Sequence, residues 1–329
     1  MAELIERRPE GLYVPAADVY IDPWRPVEKA IITHAHSDHA RPGHRAYLAH
    51  PVTAAVLRAR LGAHIWVEEK DYARAFRIQG VRFSLHPAGH IPGSAQVRVE
   101  HKGEVWVVSG DYKTSADGIS SPIDPQRCHV FITESTFGLP VFQWEAAPLL
   151  AERLCSWAAH QLQAGCHVVL SVYSLGKAQR ITRLLNEAWI VPYVHPAVAE
   201  MSQALQQAGV PVGNFSPLSA LENRGETGVI LVPPAAEEAV LRRLKGPVVT
   251  AACSGWVSIR GFKRRRNLNQ GFGISDHADW PGLLATIRHT EATSVRVTHG
   301  FSGPMAQYLS ENGLDARPLE TAFNPAEAE

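Results

Sequence analysis

The chain has 329 residues, of which 45% are hydrophobic and 19% are charged. This composition predicts a globular protein of one large or two smaller domains. Because 32 Lys and Arg residues balance 32 Asp and Glu residues, the zero net charge excludes a protein that binds nucleic acid through bulk positive charge. Any such partner must be held by local basic patches.

The first functional candidate along the chain is Asp22, which follows an apolar stretch at residues 19–21 and precedes Pro23. Its carboxylate could hold the second ring nitrogen of a metal-ligating histidine, a usual role for carboxylates behind a metal site. As a turn residue before proline it would need no role in function. The sequence leaves both interpretations open.

The motif H-x-H-x-D-H follows a predicted buried strand at residues 30–32 and supplies His34, His36, Asp38 and His39. Four metal-binding side chains within six residues are too many for one tetrahedral ion, but they suit two ions held close together. In extended backbone His34 and His36 point to the same side, whereas Asp38 and His39 follow where we expect a helix to begin. A polar loop with ordinary histidines would explain one of these histidines but not all three.

Two further candidates follow predicted strands in the region after a predicted helix at residues 52–61. His90 lies in a loop between Gly89 and Gly93, where glycines allow the backbone to bend tightly. Asp111 follows an apolar strand that forms a predicted hairpin with the strand before it. Gly-Asp after a strand is usually a turn, but after H-x-H-x-D-H it predicts a metal ligand whose two oxygens can bridge two cations.

Glu134 ends another predicted buried strand, and the pattern changes soon after it. The carboxylate could simply cap the next segment of the chain, or it could orient a catalytic group. From Trp144 onward strands and helices alternate, which predicts a small α/β domain with a mostly parallel sheet. Within it, Gly176-Lys177 lacks the other P-loop residues, but Lys177 at a helix N-terminus could still contact a phosphate.

The densest basic run of the chain consists of Lys263, Arg264, Arg265 and Arg266. Such a run is usually a solvated loop. Its position just before the next histidine motif makes nucleic-acid contacts an equal alternative.

The last two candidates are histidines near the C-terminal end of the chain. The motif Ser-Asp-His-Ala-Asp contains His277, and His299 ends a later strand. Single histidines at such places are commonly structural, but these two are the candidates to complete the metal site.

The remaining observations concern the ends of the chain and its location. The tail at residues 312–329 is polar and rich in Ala, Pro and Glu, so we expect it to fray. The four cysteines show no C-x-x-C spacing, and residues 1–8 are too charged for a signal peptide. No apolar run approaches the length of a membrane span. A reducing cytoplasm is therefore the expected location.

Together these residues resemble the motifs of the metallo-β-lactamase superfamily and, within it, of the β-CASP nucleases. The likeness runs in family order over nearly the whole chain, from Asp22 to His299. The segments 87–94 and 133–138 and the short length are most similar to bacterial DNA-ligase-associated exonucleases, relatives of Artemis and the DNA cross-link repair nucleases.

The fold implied by this resemblance is α/β. It is a metallo-β-lactamase αββα sandwich built from residues 1–143 and 268–329, with a β-CASP cap domain inserted at residues 144–267. The C-terminal piece would return to complete the sandwich and bring its two histidines to the metals.

The resemblance also implies a role for each motif residue. One divalent ion would be held by His34, His36, His90 and Asp111, and the other by Asp38, His39, His299 and the shared Asp111. The ions would be zinc first, with manganese as the alternative, and would lower the pKa of a shared water that attacks phosphorus. Asp38 also counts among the catalytic residues. His277 would be the general acid for the leaving 3′ oxygen, with Glu134 raising its pKa.

Three classes of function compete, and the first is a phosphodiesterase that acts on nucleic acid, either DNA or RNA. The resemblance favours a single-strand DNA exonuclease that leaves 5′ phosphates in a repair setting, with DNA ligase and helicase as partners. His299 favours an RNA-processing ribonuclease instead, because DNA-acting members often carry valine at this position. A small-molecule metallo-hydrolase would have no use for the inserted domain or for an acid beside His277. A non-catalytic member would have lost ligands, and this chain has lost none.

Overall fold

The structure is a computed structural model that describes residues 3–224 and 226–322 of the chain. Within the described residues the chain forms two compact units. The first unit consists of residues up to 116, residues 120–142 and residues from 277 onward, and the second consists of residues 117–119 and 143–276. The second unit is therefore an insertion in the sequence of the first.

The first unit begins with a six-stranded sheet in which sequential strands are neighbours. Its strands are β1 (Glu6–Arg8), β2 (Gly11–Val14), β3 (Val19–Ile21), β4 (Lys29–Ile31), β5 (Ala46–Ala49) and β6 (Val67–Glu69), and a 3-10 turn spans Pro15–Ala17. The first three strands pair antiparallel, and the pairs from β3 to β6 are parallel. Helix α1 (Pro51–Leu61) follows β5, and His50 caps it by accepting from the Val52 N–H. This helix was predicted at residues 52–61.

A second sheet begins with five strands that lie next to one another. They are β7 (Phe76–Ile78), β8 (Val81–Pro87), β9 (Ala95–His101), β10 (Glu104–Val108) and β11 (Val130–Thr133). The predicted hairpin is confirmed, because β9 and β10 pair antiparallel around Lys102 and Gly103. Strand β11 then pairs parallel with β10, which requires the long connection between them.

The second unit contains a six-stranded sheet in the order β14-β13-β15-β12-β16-β17. Its elements are α2 (Ala147–Gln163), β12 (His167–Ser171), α3 (Lys177–Glu187), β13 (Tyr193–Val194), α4 (Pro196–Gln207), β14 (Ser216–Pro217), α5 (Leu218–Arg224), β15 (Val229–Val232), α6 (Glu237–Leu241), β16 (Val248–Cys253), α7 (Phe262–Arg265) and β17 (Gln270–Phe272). Two 3-10 turns span Pro234–Ala236 and Gly255–Ser258. Every pairing is parallel, as the strand–helix alternation predicts. The insertion was predicted to end at residue 267, but β17 pairs with β16 beyond that point and the second unit extends to residue 276.

The chain then completes the second sheet of the first unit with α8 (Trp280–His289), β18 (Ser294–Val297), α9 (Ser302–Glu311) and β19 (Asp315–Pro318). The full order is β19-β18-β11-β10-β9-β8-β7, and β18 and β19 join in parallel. The expectation that the tail frays from residue 312 is wrong for β19. This edge strand is mostly exposed and carries no apolar alternation, so only its backbone pairing reveals it. Residues 323–329 lie outside the described part.

The two sheets of the first unit share one apolar core. Ile21 and Ile31 from the six-stranded sheet pack in the same cluster as Phe83, Val97 and Trp106 from the seven-stranded sheet. On the opposite face of the seven-stranded sheet, apolar residues of β11 and β18 pack against helices α8 and α9. Among the described helices, none is long and apolar enough to span a membrane.

Candidate metal centre

The predicted metal ligands follow strands whose carboxyl ends point the same way. The H-x-H-x-D-H motif follows β4. Strand β4 runs parallel to β3, and Asp22 directly follows β3. His90, Asp111 and His299 follow β8, β10 and β18, which share one direction in the seven-stranded sheet. Because strands with one direction finish at one edge, residues far apart in the chain meet there, the usual place for a site in such folds.

The Asp111 carboxylate lies at the centre of this cluster. Its Oδ2 is 3.5 Å from His34 Nε2, 3.4 Å from His39 Nε2 and 3.8 Å from His90 Nε2. His36 joins through Nδ1, which lies 3.0 Å from His90 Nε2. This arrangement offers a carboxylate oxygen beside several imidazole nitrogens, a mixture of donors that suits a divalent ion such as zinc.

The ligand atoms form groups whose members all lie within 4.8 Å of one another. Among the described residues there are four such groups: His34 with His36, His90 and Asp111; His34 with Asp38 and His39; His39 with Asp111 and His299; and Asp111 with Glu134 and His277. The first group has the membership predicted for one ion. The members predicted for the other ion are divided between the second and third groups, where Asp38 Oδ2 lies 3.7 Å from His39 Nε2.

Asp22 contacts this cluster from behind. Its Oδ1 accepts from the Thr33 N–H at 2.8 Å, and its Oδ2 accepts from the Thr33 hydroxyl at 2.6 Å and from His39 Nδ1 at 2.7 Å. The backbone of Asp22 adopts φ 43°, a conformation that is uncommon outside glycine and that surrounding contacts must hold. Of the two interpretations from the sequence, the structure therefore favours the carboxylate that orients a histidine.

Two threonines determine which ring nitrogen each neighbouring histidine presents. The Thr33 hydroxyl donates to Asp22, so it accepts from Nδ1–H of His34 at 3.1 Å. The Thr298 hydroxyl donates to the Thr133 carbonyl and accepts from Nδ1–H of His299 at 2.6 Å. In both histidines Nε2 is left as the nitrogen with a lone pair, the form in which imidazole binds a metal.

The backbone conformation and backbone contacts of His299 and Gly300 fix the position of His299 after β18. It adopts φ 54°, and the next residue, Gly300, adopts φ 55°. The Ser135 hydroxyl donates to the His299 carbonyl. A Cβ at Gly300 would lie less than 3.0 Å from the backbone of Ser135 and Thr136, so only glycine allows this close approach.

Glu134 and His277 form a buried pair beside the cluster. His277 Nδ1 lies 3.1 Å and 2.9 Å from the two carboxylate oxygens of Glu134, which also accepts from the Tyr112 N–H at 2.7 Å. Because an ionised carboxylate only accepts, Nδ1 carries a proton, and Nε2 is the atom through which His277 can act. The His277 ring lies 4.6 Å from the His90 ring, measured between centroids. Of the two roles considered for Glu134, the structure therefore favours orienting a neighbouring side chain over capping the next segment alone.

The protonation states of His34, His299 and Asp111 suit metal ligation. Burial lowers the pKa of His34 well below its usual value and lowers that of His299 to about 4, so both are neutral. Burial alone would raise the pKa of Asp111, but the charge on His39 outweighs it and holds that pKa well below its usual range. For His39 burial acts to lower the pKa, whereas Asp111 and Asp38 raise it well above its usual value. The same negative potential would favour a bound cation.

Two buried atoms give a further test of whether a metal fits. Among the described residues, His34 Nε2 and Asp111 Oδ1 are buried and lack a hydrogen-bond partner. Buried polar atoms almost always have one, and an exception calls for an explanation such as an ion. A divalent ion would satisfy both atoms, so the donor set fits a metal.

Thr33 and Thr298 were not among the predicted site residues, although the sequence contains a signal for them. Each threonine stands directly before a predicted ligand histidine and after an apolar strand.

The prediction that a helix begins at Asp38 and His39 is wrong. The chain makes a single turn there, in which the Ala40 N–H donates to the His36 carbonyl. A turn suffices because the two side chains are positioned by their partners and not by helical backbone.

The predicted nucleic-acid contacts lie in the second unit. The basic run forms the short helix α7 and its end, where Lys263, Arg264, Arg265 and Arg266 are all exposed. Lys177, by contrast, is 0% exposed. Its Nζ lies 3.9 Å from the Asp276 carboxylate and 5.7 Å from the centre of the Tyr173 ring. The sequence suggested that Lys177 contacts a phosphate at the surface. In the structure its side chain is buried and contacts residues of the same unit.

Comparison with known proteins finds relatives but no matching family profile. The "Probable DNA ligase" of Opitutus terrae is 31% identical over 93% of this chain. The "Endoribonuclease YSH1" of Mycosarcoma maydis is 29% identical over 57% of this chain, and the "RNase J-like protein" of Methanocaldococcus jannaschii is 27% identical over 49%. The chain spans only 30%, 26% and 44% of the lengths of these three relatives, respectively.

A solved structure has a similar fold. The crystal structure of a protein of unknown function from Enterococcus faecalis V583 superposes with a TM-score of 0.62. The match covers 89% of this chain and 79% of that protein, at 10% sequence identity. At this identity the match supports the arrangement of strands and helices and carries no information about activity.

Proposed function

We propose that this chain, a relative of the β-CASP nucleases of the metallo-β-lactamase superfamily, is a metal-dependent phosphodiesterase that cleaves nucleic acid. The kinship predicted from the motifs is confirmed by the curated relatives, which include two kinds of ribonuclease and a probable DNA ligase. The observation that carries the proposal is the buried pair of Glu134 and His277 beside a cluster of histidines around Asp111.

The kinship also suggests the domain assignment. The first unit would form the αββα sandwich, and the second unit, whose sheet extends to β17 beyond the predicted end at residue 267, would be the β-CASP cap. Two sheets that share a core, with α8 and α9 packed on the second sheet, support the first part of this assignment. An inserted unit with a parallel sheet supports the second.

Two divalent ions would be held by the ligand cluster. We assign His34, His36, His90 and Asp111 to one ion, and Asp38, His39, His299 and the shared Asp111 to the other. Zinc is the first choice for imidazole and carboxylate ligands, and manganese is the alternative. When bound, such ions supply a nucleophile at neutral pH and stabilise the negative charge that develops on a phosphate.

The residues of the chain have separate tasks in this reaction. His277 holds a proton on Nε2 and passes it to the 3′ oxygen as the bond from that oxygen to phosphorus breaks, which leaves a 3′ hydroxyl and a 5′ phosphate. Glu134 keeps the imidazole in one orientation and favours its protonated form as a neighbouring negative charge. Asp22 and Thr33 orient His39 and His34.

For the substrate, we propose single-stranded DNA cleaved from an end in a repair setting in the cytoplasm. Support comes from the likeness to DNA-ligase-associated exonucleases and from the Opitutus relative, in which a similar segment occupies 30% of a probable DNA ligase. A ligase, and a helicase that exposes single strands, would be the natural partners. The zero net charge suits a narrow path for one strand, with helix α7 as its basic contact.

A second candidate, an RNA-processing ribonuclease, is favoured by His299 and by the two relatives named as ribonucleases. Purified protein should be assayed on matched end-labelled DNA and RNA oligomers, single- and double-stranded, with zinc and with manganese. The DNA proposal predicts faster turnover of single-stranded DNA and products that shorten from one end. Faster turnover of RNA would select the second candidate, and no cleavage of any oligomer would contradict both.

A further inference from the structure

Lys113 is a buried cation immediately beside the candidate metal centre. It stands two residues after Asp111 and is only 2% exposed, although lysines are almost never fully buried unless their ammonium group is paired. Its Nζ donates to the main-chain carbonyl of His90 at 3.2 Å. The segment that carries one predicted ligand is therefore bonded to the backbone of another.

The backbones of the two segments are also joined. The Lys113 N–H donates to the Ala88 carbonyl at 3.1 Å, and Gly89 and Tyr112 form an antiparallel bridge. Gly89 has φ 78°, and a Cβ on it would lie less than 3.0 Å from the Lys113 carbonyl. The two segments thus meet as closely as glycine permits, and Lys113 contacts the loop on both sides of Gly89.

The other ligand loop is held by different groups. Asp22 binds Thr33 and His39, and Arg60 Nη1 donates to the Ala35 carbonyl at 2.6 Å. The bond from Lys113 to the His90 carbonyl instead links the His90 loop to the strand end that carries Asp111.

We propose that Lys113 is a positioning residue that sets the distance between His90 and Asp111, so that both reach the same ion. The inference rests on the proposed function only in requiring that the centre binds metal. A hydrogen bond from a charged donor in a buried site is stronger than a neutral one. Groups behind a metal site typically cost about 10–100-fold in metal affinity or activity when removed.

The test compares Lys113→Met with Lys102→Met. Methionine keeps an unbranched apolar side chain but removes the donor, and Lys102 is an exposed lysine of the same unit. Zinc affinities of the metal-free proteins would be measured by competition with a coloured chelator, and folding by circular dichroism. We expect Lys102→Met to match the wild type and Lys113→Met to bind one of the two ions about 10–100-fold more weakly.

Gly89→Ala provides an independent variant, because it forces the same two segments apart through the backbone. It should weaken the same ion, and cobalt substituted at that site should show altered visible absorption in both variants. A folded Lys113→Met protein with wild-type affinity for both ions would overturn the inference. If Lys113→Met does not fold, wild-type affinity in Gly89→Ala would overturn it. A wild-type protein that binds no metal would contradict the proposed function itself.

Discussion

The candidate metal centre and the basic helix α7 carry their charge in opposite ways. In the candidate metal centre the charged groups are buried beside particular partners: Asp22 accepts from the Thr33 N–H at 2.8 Å, and Asp111 Oδ2 lies 3.4 Å from His39 Nε2. In α7 the cations are exposed, with Arg266 3.4 Å from Glu237 and Lys263 3.5 Å from Gln270. Buried groups act as a unit with large individual effects, whereas exposed charges act additively and are screened by salt.

The largest effect should follow from Asp111→Ala, which removes the carboxylate shared by three of the ligand groups. We expect elemental analysis to find two divalent ions per chain in the wild type and neither at full occupancy in the variant, with nuclease activity falling to background. Asp71→Ala, which removes an exposed carboxylate of the same unit, should change neither quantity. Two tightly bound ions in Asp111→Ala would refute the shared-ligand assignment.

His277→Ala should separate chemistry from metal binding. We expect both ions to remain and the cleavage rate to fall by about 10²–10⁴-fold, the usual contribution of a general acid or base. The measurement is a single-turnover rate together with metal content, and His160→Ala, an exposed histidine, is the control. Loss of metal, or a rate like that of the wild type, would assign His277 another task.

Asp22→Ala should have an intermediate effect, because Asp22 supports His39 and Thr33 without being a predicted ligand. We expect metal affinity to weaken by about 10–100-fold. Asp22→Asn should lose less than Asp22→Ala, because its amide oxygen can still accept a hydrogen bond. Chelator competition gives both values, and equal affinity in wild type and Asp22→Ala would show that Asp22 only shapes the turn.

The smallest effect per residue is expected in α7. Replacing Lys263, Arg264, Arg265 and Arg266 with Gln should reduce the slope of log K against log salt by about 0.7 for each phosphate contacted on a single strand. Binding is measured by fluorescence anisotropy across a salt series. The control replaces four exposed arginines, Arg45, Arg74, Arg127 and Arg153. Equal slopes in the two sets of variants would show that α7 is a solvated basic segment without phosphate contacts.

The ligand types and the elements that carry them could be predicted from the amino-acid sequence alone. H-x-H-x-D-H, His90 and Asp111 could be recognised because each follows an apolar strand, and the strands and α1 are readable from local periodicity. The parallel sheet of the second unit was likewise predictable from its strand–helix alternation. Local patterns suffice for these features because strand ends and residue chemistry are local properties of the chain.

Which side chains meet depends on the tertiary structure. The burial of Lys177 with Asp276 and the bond from Lys113 to the His90 carbonyl join residues that no spacing rule connects. The pairing of Glu134 with His277 was expected only through the family resemblance, because the two residues stand far apart in the chain. Strand β19 was missed for the same reason, because its polar residues are held by pairing with β18. Hydrogen bonds and burial depend on which residues the sheets bring together. Those residues come from distant parts of the chain, so no local sequence pattern identifies them.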